Sequence, residues 1–327
     1  MNEERKPILT ICPDDFPGVK AHLKNYLSTG LTEHTETITP SAVIGRKMVI
    51  FGAWHPVYYE AMQKIKSTGV PIALLWTSSV GQIDFVNNGI EISFLYLLKD
   101  LIYAGLIDIL FTPTEQIQNM FQQFIEPKKV ILLPHSLNWN KIQEKYDKNI
   151  YPEKNDIDLF STAETRKNIL PQIHASKLAD CRIYLNHTSQ RYIFFADILK
   201  VKYTSMGWIP DETYFNVIQQ MKMGLQVTYA ESFNYVVAEH FAMKRPCLIS
   251  PVMGRWVDNN LWKDIMIYNI DNPFEIADVI MNIKNMSDKK YNKLGNECFR
   301  FIKKEAKSRN DNAIKILTTT YEELNKR

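Results

Sequence analysis

The sequence predicts an α/β protein made of two doubly wound halves, and three observations support this. Short apolar runs of strand character alternate with longer segments of helical period, which predicts parallel strands covered by helices on both faces. The alternation lapses once, in a polar segment, and then restarts. The chain has 327 residues, and at roughly 100–200 residues per domain this length fits two domains.

The first half alternates regularly between strand and helix candidates. The strand candidates are Pro7–Cys12, Lys47–Gly52, Val70–Trp76, Ile107–Thr112 and Lys129–Pro134. The helix candidates between them are Val19–Ser28, Pro56–Ser67, Ile92–Tyr103 and Thr114–Ile125. Pro113 stands just before the last of these, where proline suits a helix start.

A polar segment, residues 138–156, is predicted to connect the halves and to hold one short helix. After it the strand candidates are Ile157–Ser161, Arg182–Leu185, Gly224–Thr228, Arg245–Ser250 and Ile265–Asn269. The helix candidates are Lys167–Leu178, Gln190–Leu199, Asp211–Met221, Tyr235–Met243 and Pro273–Asn285, followed by two closing helices, Lys289–Lys304 and Asn312–Glu323. We therefore expect domains over 1–148 and 149–305, with 306–327 a C-terminal helix that returns to the first domain.

Composition and charge exclude several classes of protein. A net charge of +3 is too small to indicate a nucleic-acid partner. Basic residues near the C-terminus fit a solvated helix face better than a membrane-docking patch, so we expect at most peripheral membrane contact. The four cysteines form no C-x-x-C pair, which indicates free thiols in a reducing compartment. With no signal peptide and no apolar run of about 18 residues, we expect a cytoplasmic protein.

Two carboxylates eight residues apart, Glu231 and Glu239, mark the most informative segment. An apolar run, Met223–Ala230, predicts a buried strand that ends at Glu231, and a helix is expected to start near Phe233 with Ser232 as its N-cap. The unpaired N–H groups of such a start favour a phosphate. Glu239 would then lie about 12 Å further along, within reach of a ribose diol. The alternative is an amphipathic helix with two solvated acids.

Glu231-x7-Glu239, with Phe233 after Ser232 and an apolar strand behind, resembles the E-x7-E signature of retaining glycosyltransferases of the GT-B fold, and glycosyltransferase family 4 in particular. The resemblance covers roughly residues 157–252 and is weak before about 130. It implies two Rossmann-like domains facing a central cleft, and a nucleotide diphosphate sugar as the donor. The acceptor would be a hydroxyl group of a glycan, a lipid-linked glycan or a protein.

The resemblance also implies roles for individual residues. Glu231 would orient the transferred sugar, and Lys167 and Arg166 would stabilise the leaving diphosphate. Many relatives have an arginine where Glu164 stands here, so either Arg166 takes that role or the arginine function is lost. The remaining donor-binding candidates are Ser232, Phe233, Asn234, Glu239, Trp208, Ile209 and Gly18. A capped helix start with exposed basic residues is the alternative for the Arg166–Lys167 segment.

The acceptor is expected on the N-terminal domain. Many relatives carry a histidine at the end of a middle strand, and Thr77 or Ser78 stands at that place here, with Gln82 in the same run. His55, at the end of the preceding strand, is the nearest substitute. His135 is interpreted as structural.

No metal and no cofactor are expected. Asp156-Ile-Asp158 spells D-x-D, a metal-binding string of another glycosyltransferase fold, but it precedes a strand and is interpreted as the beginning of that strand. No His/Cys/Asp cluster has metal-ligand spacing. The sequence thus predicts a retaining hexosyltransferase. The alternatives are a non-catalytic glycosyltransferase-like binding subunit and a sugar-nucleotide epimerase on the same fold.

Overall fold

The computed structural model describes residues 7–12, 17–78, 90–160, 165–186, 189–207, 209–252 and 260–326. The described residues divide into two units. Unit 1 holds those up to Trp139 and those from Glu305 onward, and unit 2 holds those from Asn140 to Lys304.

Unit 1 is built on a six-stranded parallel sheet of order β2-β1-β3-β4-β5-β6. Its strands are β1 Ile8–Ile11, β2 Thr32–Thr35, β3 Val49–Gly52, β4 Ile72–Leu75, β5 Ile109–Thr112 and β6 Val130–Leu132. Its helices are α1 Pro17–Asn25, α2 Pro40–Val43, α3 Tyr58–Lys66, α4 Ile90–Tyr103 and α5 Glu115–Phe121, with 3-10 turns at Tyr26–Thr29 and Pro127–Lys129.

Two apolar clusters cover the two faces of this sheet. Along β1, Leu9 belongs to the cluster that contains Met62 of α3, whereas Ile8 belongs to the cluster that contains Leu23 of α1. β3, β4 and β5 alternate between the two clusters in the same way, because successive side chains of a strand point to opposite faces. The sheet is therefore covered on both sides, as the uniformly apolar strand candidates predicted.

Unit 2 is built on a five-stranded parallel sheet of order β11-β10-β7-β8-β9. Its strands are β7 Glu153–Phe160, β8 Arg182–Asn186, β9 Lys202–Gly207, β10 Met221–Gln226 and β11 Cys247–Ile249. Its helices are α6 Trp139–Glu144, which starts at the boundary, α7 Ile169–Leu178, α8 Gln190–Ile198, α9 Asp211–Gln220, α10 Tyr235–Ala242 and α11 Pro273–Lys284, with 3-10 turns at Thr165–Lys167 and Asn260–Asp264.

One helix, α12 Asp288–Leu324, closes the chain, so the prediction of two separate closing helices was wrong. The residues between the two predicted helices contain neither glycine nor proline. Arg309 pairs with Glu305 one turn earlier at 3.2 Å. The last part of α12 belongs to unit 1, where Ala313 and Leu317 join the core.

The sequence missed two strands and predicted one that does not form. β2 and β9 lie at sheet edges and carry partly exposed, polar residues, so they lack the apolar character used to recognise strands. The candidate Ile265–Asn269 makes one isolated bridge, between Met266 and Ile249. β7 begins inside the polar segment at Glu153.

All four cysteines are free and buried, as expected. No helix formed by the described residues combines the length and the apolar character that crossing a bilayer requires.

Candidate functional site

The candidate site lies in unit 2, beyond the carboxyl ends of two neighbouring strands. β7 and β10 pair in parallel, with Gly224 beside Asp158. The chain after β7 leads to Arg166 and Lys167, and the chain after β10 leads to Glu231. Because parallel neighbours end at the same edge of a sheet, residues 64 or 65 positions apart meet there.

The centre of the site is a charged triad of Arg166, Lys167 and Glu231. The Lys167 ammonium donates to Glu231 Oε1 at 2.6 Å, and Arg166 Nη1 donates to the same oxygen at 3.0 Å. Arg166 Nη1 also lies 3.4 Å from the Ala230 carbonyl oxygen. The Glu231 side chain is 5% exposed, and those of Lys167 and Arg166 are 11% and 17% exposed. Two cations therefore share one carboxylate in a poorly solvated place.

The triad carries one positive charge in excess, since two cations face one anion. In a partly buried setting this charge is screened less than it would be at the surface. A guanidinium and an ammonium together suit an anion with several oxygens, such as a phosphate or diphosphate. The geometry thus favours binding of an anionic group beside Glu231.

Four buried carboxamide side chains lie around the triad, those of Asn168, Gln172, Gln226 and Asn234. The sequence did not predict that they hold the triad in place. Gln226 Oε1 lies 3.4 Å from Lys167 Nζ and accepts from Asn234 Nδ2 at 2.9 Å. Gln172 Nε2 donates to the carbonyl oxygens of Lys167 at 2.7 Å and Asn168 at 2.9 Å. A glutamine that interrupts an apolar strand or helix was the available signal, because a buried polar group requires a partner.

Helix α10 begins at Tyr235, as the helix candidate Tyr235–Met243 predicted, but its N-cap is Asn234, so the predicted cap, Ser232, was wrong. Asn234 has φ 65°, and its side-chain oxygen accepts the Val237 N–H at 3.3 Å. β10 ends at Gln226, five residues before Glu231. Glu231 therefore lies on a loop, and the helical spacing assumed between it and Glu239 does not apply to their whole separation.

Two loops hold the segment that carries Arg166 and Lys167: the loop after β10, which includes Tyr229, and the loop before α11, which includes Ile270 and Asp271. The Tyr229 N–H donates to the Arg166 carbonyl oxygen at 2.8 Å, and the Tyr229 hydroxyl bonds Asp271. Asn168 Nδ2 donates to the Ile270 carbonyl oxygen at 2.6 Å. Burial, together with the bond to Asp271, raises the pKa of Tyr229 to about 12. These contacts tie down the Arg166 backbone on one side of Lys167 and the Asn168 side chain on the other.

The other donor-side candidates are placed less directly. Glu239 lies within α10 and is partly buried, and Ile209 is partly buried just ahead of α9. The Phe233 ring is buried and packs edge-on against Tyr235 at 5.0 Å, so a ligand would meet its backbone rather than its ring. Trp208 and Glu164 lie outside the described residues.

The acceptor-side candidates lie in unit 1. Thr77 and Ser78 lie just after β4, beyond Trp76, and are partly buried, and the Ser78 carbonyl oxygen accepts from Trp76 Nε1 at 2.6 Å. His55 Nδ1 accepts the Val57 N–H at 3.2 Å, a contact that shapes the turn into α3. Gly18 falls in the first turn of α1, and Gln82 lies outside the described residues.

No group of three His, Cys, Asp or Glu side chains within the described ranges is arranged to hold a metal ion. The D-x-D string lies inside β7 rather than at its beginning, which corrects the interpretation made from the sequence. Asp156 accepts a hydrogen bond from the Tyr184 hydroxyl at 3.0 Å.

Comparison with known proteins gives a clear result for structure and none for sequence. No family model and no curated protein matches the chain. HepE of Anabaena, crystallised with UDP-glucose, aligns with a TM-score of 0.71 at 11% identity, covering 96% of this chain and 99% of that one. A glycosyltransferase from Rickettsia africae aligns with a TM-score of 0.65 at 12% identity, covering 99% and 100%. The trehalose-6-phosphate synthase OtsA aligns with a TM-score of 0.60 at 14% identity, covering 84% and 72%.

At these identities the likeness establishes the fold. The chain has the GT-B fold of its glycosyltransferase neighbours, with two parallel-sheet α/β domains.

Proposed function

We propose that this protein is a retaining glycosyltransferase that moves a sugar from a nucleoside diphosphate sugar to a hydroxyl group of a glycan, a lipid-linked glycan or a protein. The observation that carries the proposal is the triad, in which Lys167 and Arg166 meet Glu231 beyond the carboxyl ends of β7 and β10. On a GT-B fold this is where an anionic ligand is expected.

The triad suits the departure of a diphosphate. As the bond from the sugar to the diphosphate breaks, negative charge grows on the leaving oxygens, and cations already in place stabilise that charge without rearrangement. Lys167 and Arg166 take this role. Glu231 accepts hydrogen bonds from hydroxyls of the transferred sugar, and Glu239 holds the ribose diol.

The donor is a uridine diphosphate sugar in this proposal. HepE was crystallised with UDP and with UDP-glucose, and a trehalose-6-phosphate protein from E. coli with a similar structure is bound with UDP-2-fluoro glucose. Ile209 and Trp208 are the candidates to contact the base, and the backbone at Phe233 and Asn234 is the candidate to contact the diphosphate. Retention, through front-face attack with the leaving phosphate taking the acceptor proton, follows from the resemblance to glycosyltransferase family 4. In this proposal the transfer needs no metal ion, because Lys167 and Arg166 stabilise the charge that grows on the leaving group.

Titration of UDP into the wild-type protein and a Lys167→Ala variant tests the site. A hydrogen bond to a charged group contributes about 1.5–3 kcal/mol, so the variant should bind UDP roughly ten- to a hundredfold more weakly. Release of UDP from UDP-glucose in the presence of simple acceptors should fall at least as much.

Lys222→Ala is a matched control. Lys222 is also a buried lysine of unit 2, but it lies near the amino end of β10, with its ammonium 3.5 Å from the centre of the Tyr291 ring. This variant should bind UDP like the wild type. Equal UDP binding by Lys167→Ala and wild type would refute the site. Product analysis separates transfer from epimerisation, since an epimerase converts UDP-glucose without an acceptor.

A further inference from the structure

Two wholly buried glutamines hold Lys167 from its two ends. Gln172, on α7, donates from Nε2 to the Lys167 carbonyl oxygen at 2.7 Å. Gln226, the last residue of β10, places Oε1 3.4 Å from the Lys167 ammonium. Gln172 and Gln226 are 0% and 1% exposed. The backbone and the charged end of the same lysine are thus both positioned by neutral side chains.

The two glutamines also join the cationic segment to the loop that carries Glu231. Gln172 Oε1 accepts the N–H of Val227, the residue after Gln226, at 3.0 Å. Gln226 Oε1 accepts in addition from Asn234 Nδ2 at 2.9 Å, and Asn234 caps α10. The segment after β7, the end of β10 and the start of α10 therefore share one set of buried hydrogen bonds.

The neutrality of these side chains matters for an anionic ligand. A carboxylate at position 226 would bind the Lys167 ammonium more strongly than a carboxamide does, but it would also cancel the excess positive charge of the triad. A carboxamide oxygen orients the ammonium and leaves that charge in place. Burial increases the difference in charge interaction between a carboxylate and a carboxamide at position 226, because solvent screens buried charges poorly.

We infer that Gln172 and Gln226 are positioning residues for the diphosphate of the donor, acting through Lys167. This inference rests on the proposed function, and it adds two residues that touch neither the sugar nor the diphosphate. A purely structural role is the competing explanation, since any buried glutamine with satisfied hydrogen bonds contributes to stability.

The test uses Gln172→Met, Gln226→Met and a matched control, Gln219→Met. Gln219 is equally buried in unit 2, and its side chain bonds the Asp147 N–H at 2.7 Å and the carbonyl oxygens of Lys145 and Phe215, both at 3.0 Å. It lies at the end of α9, just before β10 begins, away from the triad. The three variants should lose similar thermal stability. Affinity for UDP should fall about tenfold at positions 172 and 226 and stay within about twofold at position 219.

Two further measurements separate positioning from general damage. Uridine, which has no phosphate, should bind all variants like the wild type in ligand-observed NMR. Gln226→Glu should retain thermal stability, since it pairs with Lys167, yet bind UDP more weakly than Gln226→Met because it neutralises the triad.

The outcomes distinguish this inference from the proposed function. If the wild type binds UDP and all three methionine variants bind it equally well, the positioning role is wrong and the proposed function stands. If the wild type binds pyrophosphate but not UDP, the donor assignment fails, and the variants are judged on pyrophosphate affinity. If the wild type binds neither, both proposals fall.

Discussion

At the scale of single residues, Glu231 occupies the cations that a diphosphate needs. Both Lys167 and Arg166 donate to the same oxygen of Glu231, at 2.6 and 3.0 Å. A ligand phosphate must compete with this carboxylate for the same donors, and the cost of that competition lowers the affinity for the ligand. In the proposed reaction the bound sugar compensates, because its hydroxyls become new partners for Glu231.

This arrangement predicts opposite effects of Glu231→Gln on binding and on transfer. The substitution removes the competing charge and keeps the shape, so UDP alone should bind about three- to tenfold more tightly, in line with charge-assisted bonds being stronger than neutral ones. Sugar transfer should fall by at least about a hundredfold, since the sugar loses a charged hydrogen-bond acceptor. Calorimetry with UDP and turnover of UDP-glucose measure the two effects.

Glu275→Gln provides the control for this change. Glu275 accepts the backbone N–H groups of Tyr268 and Asn269 at 3.2 and 3.3 Å, and no cation pairs with it among the residues that the structure describes. This variant should leave UDP affinity unchanged. Weaker UDP binding by Glu231→Gln would mean that the carboxylate assists the diphosphate instead of competing with it.

Sequence reasoning found the charged residues of this site but not the neutral ones. Glu231 and Lys167 stand out through the resemblance and the E-x7-E spacing, and the structure brings them into contact. Gln172 and Gln226 could not be found in this way, because their partners are mostly backbone groups and a side chain distant in sequence. The pairing of β7 with β10 brings the Val227 N–H to Gln172 and the Lys167 ammonium to Gln226.

At the scale of elements, Asn234 serves both the backbone and the cap of α10. Its φ of 65° lies in the left-handed region, and its side chain accepts the Val237 N–H. A left-handed conformation costs a residue with a Cβ roughly 1–2 kcal/mol, and loss of an N-cap costs about 1 kcal/mol. Glycine avoids the first cost, whereas alanine does not.

We therefore expect Asn234→Ala to be less stable than Asn234→Gly by about 2 kcal/mol, measured by urea unfolding. Bonds from the asparagine side chain, including the one to Gln226, are lost in both variants and cancel in the comparison. Asn272 is the control: it caps α11 through Phe274 and Glu275 N–H groups with an extended backbone, φ −94° and ψ 100°. At position 272 the free energies of unfolding of the alanine and glycine variants should differ by less than about 1 kcal/mol. Equal differences at the two positions would contradict the backbone argument.

The sequence predicted most of the buried strands and helices. It missed exposed edge strands and divided one continuous helix into two. Fully buried strands such as β3 and β4 were recognised because every residue is apolar. The edge strands β2 and β9 were missed, since their partly exposed positions tolerate polar residues. The break placed within α12 followed a polar stretch, but polarity alone does not end a helix that leaves one unit and continues over another.

At the scale of the whole molecule, unit 1 is completed by residues distant in sequence. Asn310 of α12 donates to the Leu137 carbonyl oxygen at 3.1 Å and accepts the Leu137 N–H at 3.2 Å. Just before Leu137, His135 stacks on His22 of α1, with ring centres 3.9 Å apart. The start, the middle and the end of the chain thus meet beside this buried histidine pair.

Neither histidine of the pair is readily protonated in the folded protein. Burial lowers the pKa of His22 to about 3. Burial also lowers the pKa of His135 well below its usual range, and His22 and Arg309 add to the effect. His22 Nε2 bonds the Tyr26 hydroxyl at 3.1 Å, and that hydroxyl donates to the Pro134 carbonyl oxygen at 2.9 Å. Neither contact involves a carboxylate, the kind of partner that would favour a protonated histidine.

This pair makes stability depend on pH with a definite sign. In the unfolded chain a histidine takes up a proton below about pH 6.5, whereas folded His22 does so only near pH 3. The unfolded state then binds more protons between these values, so the free energy of unfolding is full above about pH 6.5 and falls as the pH drops. Each such histidine contributes about 1.4 kcal/mol per pH unit within that window.

His22→Gln should reduce this slope by about 1.4 kcal/mol per pH unit between pH 4 and pH 5.5, since glutamine keeps a donor for Tyr26 but does not titrate. Urea unfolding of the two proteins at half-unit steps of pH measures it. Above pH 7.5 their curves should run parallel, which serves as the internal control, because both histidines are then neutral in either state. Parallel curves across the acid range as well would show that His22 binds a proton as readily in the folded protein as in the unfolded chain.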